Sequence, residues 1–371
     1  MRVLFSASGG RVGGATMALL YLALGFSGLG VEPILLTTPP LAMYRRLYSR
    51  LAGCGVVLVV SRWRWRGLAY WLWLVFAAVL AVRRYGVGVI HCHGTKEAAV
   101  LGLVGRLLRR RVVYTVEGDP LMELYYADKR PGLLVRVLLA CAWFVGLRLA
   151  SVVVGCSRWM AETLRRRYGV EALWVWNPID YARFSSADDG GLRGENVAVV
   201  ARFERVKGIK TIIRAFSRVH GARPGSRLVL VGDGVERGEL EAYARELGLG
   251  GSVVFMGFRD DVERILADSC CLVMPSLYEP FGMAAAEAQA AGRPVIAAAT
   301  GGLLEIVKDG ETGFLFRPAD WRQLSEKLQK ILDDPALRER MGSAARLNAR
   351  RFAPEEIARR YLSIYRRLLA R

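Results

Sequence analysis

PSLYEPFGMAAAE, residues 275–287, places two carboxylates, Glu279 and Glu287, eight positions apart. Between them a proline and a Phe-Gly pair lead into an alanine-rich run that reads as the start of a helix. Upstream, Cys270 to Met274 is a short apolar run of the length of a buried strand. Glu279 therefore falls on a strand-to-helix loop, and Glu287 about one turn inside the helix. A helix start offers free backbone N–H groups and the positive end of the helix dipole, which suit a phosphate. Two acids beside an anion site make poor sense as electrostatics alone. They suit a ligand that carries both phosphates and hydroxyls, such as a sugar nucleotide, because carboxylates accept hydrogen bonds from ribose and hexose hydroxyls. The competing reading is a plain helix N-terminus with acids placed for the dipole.

Working outward, 371 residues suggest two domains, and a hydrophobic content of 53% is ample for two cores. The net charge of +19 is unevenly spread. Residues 1–178 carry 23 Lys and Arg against 8 Asp and Glu, whereas residues 179–371 carry 30 against 26. The basic excess belongs to the N-terminal half and points to an acidic partner there, a membrane surface or nucleic acid. No nucleic-acid motif accompanies the charge, so nucleic acid is set aside. A basic face that is merely solvated remains the alternative. The six cysteines (54, 92, 141, 156, 270 and 271) have no metal-ligand spacing and lie mostly in apolar runs. They are expected to be buried free thiols, in a reducing, cytoplasmic compartment. The opening MRVLFSASGG is too short for a signal peptide, and no uncharged apolar run reaches transmembrane length.

Short apolar runs alternate with helical patterns along the whole chain. Strands are predicted at Val3–Ser6, Pro33–Thr37, Val56–Val60, Val87–Cys92, Val112–Val116 and Val152–Cys156, with a further strand in 172–180 ending at Asn-Pro. Tyr181–Glu195 is polar and reads as a linker. A second series follows at Val197–Arg202, Arg227–Val231, Val253–Gly257, Cys270–Pro275, Pro294–Ala298 and Gly313–Phe316. Such alternation argues for an α/β chain of two doubly wound, Rossmann-like domains facing a deep cleft. The expected division is 1–178, a linker at 179–195, and 196–353, with the last helix, 354–371, packing back on the first domain. The early glycines, among them Gly13 and Gly14, precede the first helix but do not form a G-x-G-x-x-G fingerprint. No metal cluster is visible, and His91 and His93 are too few to hold a metal alone.

Arg202 and Lys207, in ARFERVKG, stand at the end of the first strand of the second domain, where doubly wound sheets bind ligands. A forked guanidinium and a compact ammonium together suit a diphosphate leaving group. Residues 197–318 resemble the nucleotide-sugar domain of the retaining glycosyltransferases of family four, which have the GT-B fold. The matching motifs are Arg202-x4-Lys207, VGDGVERGELE (231–241), VVFMGF (253–258) and, above all, the block from Glu279 to Asp320. In the first half Gly13 and Gly14, His91 and His93, and the Tyr114–Asp119 run fall where the family places its acceptor-side loops.

The resemblance implies roles residue by residue. Arg202 and Lys207 carry the leaving diphosphate, Glu279 contacts donor-sugar hydroxyls, and Glu287 binds the ribose. Backbone around Phe281, Gly282 and Met283 faces sugar and phosphates, Phe258 lies by the base, and Gly13 and Gly14 count with the donor-binding residues. The family transfers sugar from a nucleotide donor with retention, usually without a metal. Two departures stand out. Ala201 replaces a common Gly before the Arg, and Glu117 stands where many relatives have a His near donor sugar and acceptor. A carboxylate there accepts a proton or binds a hydroxyl; alternatively, His93 takes over part of that role.

Arg62-Trp63-Arg64-Trp65-Arg66 precedes LAYWLWLVFAAVLAV (68–82), and Arg83-Arg84 follow it. A second uncharged run spans Val137–Leu147. Trp and Arg at the edge of an apolar helix suit a membrane interface, so a lipid-linked acceptor at a membrane surface is the leading expectation. A soluble transferase acting on a polysaccharide or small metabolite, and a non-catalytic sugar-nucleotide binder, remain as alternatives.

Overall fold

A computed structural model describes residues 1–7, 13–39, 45–61, 67–126, 132–186, 192 and 194–370. The chain divides into two compact units: Met1–Tyr125 with Pro131–Ile179 and Phe352–Arg371, and Tyr126–Arg130 with Asp180–Arg351.

The first unit runs β1 (Arg2–Ala7), α1 (Gly14–Gly25), β2 (Glu32–Thr37), α2 (Arg45–Gly53), β3 (Val57–Val60), α3 (Gly67–Tyr85), β4 (Val89–Cys92), α4 (Thr95–Leu107), β5 (Arg111–Val116), α5 (Pro120–Tyr126), α6 (Leu133–Leu149), β6 (Val152–Gly155), α7 (Arg158–Tyr168) and β7 (Leu173–Trp174). Its sheet has the order β3-β2-β1-β4-β5-β6-β7, with every pair parallel. Parallel strands covered by helices on both faces must be apolar on both, and β1, β4 and β5 are buried almost throughout. On one face α3, α4 and α6 lie side by side, and on the other α1 packs with α2.

The second unit runs α8 (Tyr181–Ser185), β8 (Asn196–Val200), α9 (Ile209–Ala222), β9 (Arg227–Val231), α10 (Arg237–Glu246), β10 (Val253–Gly257), α11 (Val262–Ala267), β11 (Cys271–Met274), α12 (Met283–Ala290), β12 (Val295–Ala298), α13 (Leu303–Ile306), β13 (Gly313–Phe316), α14 (Trp321–Asp333) and α15 (Pro335–Ala349). Its parallel sheet has the order β10-β9-β8-β11-β12-β13. The last helix, α16 (Pro354–Leu369), belongs to the first unit and lies against α1. There Gly25 lets Pro354 close in: a Cβ at 25 would sit 2.2 Å from the Pro354 carbonyl oxygen.

In each unit the winding reverses once, between β1 and β4 and between β8 and β11. Ligands of open α/β sheets bind beyond the carboxyl ends of the strands at such points.

The expected strands form with ends shifted by two residues or fewer. The exception is the 172–180 stretch, where only Leu173–Trp174 pairs, because its neighbour β6 ends at Gly155. Two short helices, α5 and α8, were not anticipated; elements of seven and five residues are too short to show a period. The cysteine expectation fails at two positions. All six thiols are free, but Cys54 and Cys141 are exposed. Cys141 sits on α6, whose apolar run faces outward rather than into the core. The Arg62–Arg66 stretch lies outside the described residues, and no described helix is long and apolar enough to cross a membrane.

Candidate active site

In the second unit the loop leaving β8 closes through a 3₁₀ turn, Arg205–Lys207, with Lys207 N donating to the Glu204 carbonyl at 2.8 Å. Gly208 follows at φ +62°, and a Cβ there would lie 2.3 Å from the Pro275 carbonyl oxygen. Leu277 N donates to the Val206 carbonyl at 2.8 Å. The loops after β8 and β11 are thereby stitched together at the reversal point of the sheet. The consequence is a side-chain pair: Lys207 Nζ donates to Glu279 Oε2 at 2.8 Å, and Ser276 Oγ donates to the same oxygen at 3.2 Å. Glu279 is also held by its backbone, since its carbonyl accepts from Gly302 N at 2.9 Å. Gly301, at φ +55°, is required beside it, because a Cβ would sit 2.0 Å from that carbonyl oxygen.

Helix α12 begins just beyond, after Gly282 at φ +109°, and no side chain caps it. Its first amides are available to an anion. Phe281 and Gly282 are buried and Met283 is half-buried. Arg202, by contrast, turns its guanidinium to Glu204 at 2.6 Å and stays largely exposed. The structure thus unites Lys207 and Glu279 directly, while Arg202 shares only the loop.

Glu287 lies further along α12, partly buried, in a second cluster that the sequence did not reveal. Burial pushes its carboxyl up to about 8; Arg183 acts against that shift, and Asp180 and Glu263 add to it. Arg183, on α8, bridges to Glu263 at 2.5 Å and to the Asp260 carbonyl. The loop from Phe258 to Asp261 is drawn toward Glu287 through that arginine, and the Phe258 ring is exposed. Arg183 was overlooked because it falls in a stretch read as linker, and a five-residue helix leaves no periodic signal.

In the first unit His93 follows β4 directly, and its Nδ1 lies 2.7 Å from Glu117 Oε1. Asn177 Nδ2 donates to Glu117 Oε2 at 2.6 Å, so both carboxylate oxygens are engaged. Each oxygen of Glu117 thus has one protein partner, and the carboxylate keeps further lone pairs that could accept from a substrate hydroxyl. Two residues earlier, within β4, His91 bonds Tyr365 Oη at 2.6 Å and Thr115 Oγ1 at 2.8 Å. Gly13 and Gly14 are exposed at the start of α1, and Gly13 has negative φ and open space where a Cβ would go. No group of three His, Cys, Asp or Glu side chains suited to a metal occurs among the described residues.

Comparison with known proteins agrees with this layout. Residues 192–348 match the family described as glycosyl transferases group 1, and residues 12–183 match glycosyltransferase family 4. N-acetyl-alpha-D-glucosaminyl L-malate synthase of Bacillus anthracis is 31% identical over 299 residues, covering 76% of this chain and 75% of the relative. Glycogen synthase of Mycobacterium tuberculosis is 34% identical over 211 residues, covering 55% of this chain and 50% of the relative. The chain thus spans about half the length of the first curated relatives it matches. Among solved structures, Anabaena HepE in complex with UDP and glucose superposes with a TM-score of 0.79 at 22% identity, covering 98% of this chain and 99% of that one. Sucrose-phosphate synthase from Thermosynechococcus elongatus gives 0.79 at 24% identity, covering 100% and 99%. At these identities the likeness is one of fold, the GT-B fold. By its sequence matches to both halves and to the malate synthase, this chain belongs to the family-four glycosyltransferases.

Proposed function

We propose that the protein transfers a sugar from a nucleotide-diphosphate donor to an acceptor, with retention at the anomeric carbon and without a metal. The observation that carries this reading is the Lys207–Glu279 pair, held between the loops after β8 and β11 beside the uncapped start of α12. In this reading the α12 amides and Lys207 receive the diphosphate, and Arg202 swings from Glu204 to join them. When the anomeric C–O bond breaks, negative charge grows on the departing phosphate oxygen, and these cations stabilise it. They supply the positive charge that a metal supplies elsewhere. Glu279 accepts hydrogen bonds from the sugar, Glu287 faces the ribose, and Phe258 offers a flat apolar surface to the base. The relatives named for sugar-transfer products and the HepE structure named for bound UDP support a nucleotide-sugar donor.

The acceptor, in this proposal, is lipid-linked and met at the cytoplasmic face of a membrane. The support is the outward face of α6 and α3, where Leu133, Leu134, Leu138, Leu72 and Phe76 are each more than half exposed. Arg136, Arg148, Arg83 and Arg84 are exposed on the same helices. Isolated exposed apolar residues are ordinary, but a run along one helix rimmed by arginine suits an anionic bilayer.

The test of the donor reading is thermal unfolding with UDP-, GDP- and ADP-sugars. A ligand that binds only the folded state raises the midpoint. One nucleotide series is expected to do so, and a flat response to all three would end the reading.

A further inference from the structure

Helix α8 opens the second unit and packs against α12. It is fixed at two points: the Phe184 ring is buried, and Tyr181 Oη donates to the Arg346 carbonyl at 3.4 Å. From this base Arg183 reaches the loop that leaves β10. Its Nη2 donates to the Asp260 carbonyl and, at 2.5 Å, to Glu263 Oε2 on α11. Both side chains of the ion pair are partly shielded from water. A shielded pair that also engages a backbone carbonyl holds its geometry better than an exposed one.

The same loop has a fixed point at its other end. Gly232 N donates to the Gly257 carbonyl at 2.8 Å, and Gly257 turns the chain at φ +67°. Between the two anchors stand Phe258 and Arg259, both exposed. Arg259 is braced in turn by Asp261, through hydrogen bonds of 2.8 and 2.6 Å. Two exposed residues held at both ends make an edge of set shape, with a ring for stacking and peptide groups for hydrogen bonds. Charge adds a further constraint. Beside burial, the largest influence on the Glu287 carboxyl, Arg183 favours its ionised form while Asp180 and Glu263 oppose it. Arg183 is thus one cation among three carboxyls, and its loss would leave them to repel a nucleotide diphosphate.

We propose that Arg183 is a positioning residue of the nucleotide pocket: it latches the 257–263 loop so that the edge made by Phe258 and Arg259 accepts one nucleobase over the others. This rests on the glycosyl-transfer reading above, in which Phe258 meets the base and Glu287 the ribose. Nucleobases differ in width and in the donors and acceptors along their edges. A loop of fixed shape discriminates between them because the wrong base leaves polar groups unpaired, whereas a loosened loop adapts to several. Arg183 touches neither base nor phosphate in this scheme; it acts through the loop.

The affinities of UDP, GDP and ADP are measured by calorimetry, which needs no acceptor. Wild type is expected to bind one of them at least about 10-fold more tightly than the others. Arg183→Met, similar in length and uncharged, is expected to weaken the favoured nucleotide about 10-fold and to bring the preference below about 3-fold. Arg183→Lys should restore part of it. Amides of 258–263 should exchange hydrogen faster in the free Arg183→Met protein than in wild type. Glu263→Gln removes the charged partner and leaves the guanidinium, so it should shift the preference in the same direction by a smaller factor. It decides the question should Arg183→Met fail to fold. An equal loss of affinity for all three nucleotides, an unchanged preference, or a wild type without preference overturns the proposal while leaving glycosyl transfer standing. Wild-type protein that binds none of the three overturns both.

Discussion

Lys207 Nζ and Glu279 Oε2 are 2.8 Å apart, although 72 residues separate them in the chain. The pair exists because two loops at the reversal point of the second sheet are laced by backbone hydrogen bonds and by a glycine no larger residue can replace. If the lysine serves a leaving diphosphate, Lys207→Ala lowers kcat about 100-fold or more, the scale of losing one preorganised donor. Glu279 keeps its Ser276 hydrogen bond in the variant, so the unfolding midpoint changes little. A large fall in stability with unaltered turnover per folded molecule would show the pair to be structural.

Glycine 208 sets the lacing. Its φ is +62°, and a Cβ added there would meet the Pro275 carbonyl oxygen at 2.3 Å, so Gly208→Ala brings both backbone strain and a clash. The expected loss is about 2–4 kcal/mol in urea unfolding. Gly13→Ala, in open space at negative φ, is the control and is expected to leave stability within about 0.5 kcal/mol.

Glu287 links stability to pH. Its carboxyl is raised from 4.5 to about 8, chiefly by burial, so the folded state holds a proton that the unfolded state has released. The contribution is complete below pH 4.5 and is lost as pH climbs to about 8. At about 1.4 kcal/mol per unit, and with solvent reaching part of the side chain, the loss sums to roughly 2–4 kcal/mol. Glu287→Gln should flatten this slope in denaturant titrations between pH 5 and 8, and an unchanged slope would place the titration elsewhere.

The membrane reading predicts salt-sensitive binding to vesicles containing phosphatidylglycerol, measured by flotation. Leu134→Glu with Leu138→Glu should abolish it, because charge replaces apolar surface that is 72% and 59% exposed in the free protein. Those positions pack against little, so the midpoint of unfolding should hold within a few degrees. Equal flotation of wild type and double variant would remove α6 from the interface.

Metal independence is checked directly. If Arg202 and Lys207 carry the diphosphate charge, turnover measured in EDTA equals that measured with magnesium. A loss of activity restored by a divalent cation would assign that role to an ion.

Much of the fold could be read from the chain because its strands are buried on both faces. Such strands appear as unbroken runs of Val, Ile and Leu, as at Val152–Val154 and Leu228–Val231, and need no partner to be recognised. Lys207 and Glu279 were legible for a different reason: each stands within seven residues of the end of such a run, where a doubly wound sheet exposes its loops. Arg183 and Asn177 were not, because each matters only through a neighbour 60 or more residues away.

Residue order alone settled the alternation of strand and helix, and with it the two parallel sheets and the loops that border their reversal points. It also settled which residue types stand on those loops, since spacing along the backbone is a local property. What side chains do to one another was decided in three dimensions. That Glu117 meets both His93 and Asn177 is a product of the fold, and whether the α6 apolar run lies in the core or faces outward depends on how α4 occupies its inner side. Hydrogen-bond capacity and exposed surface are shared among groups distant in sequence, and only the folded chain determines how they are shared.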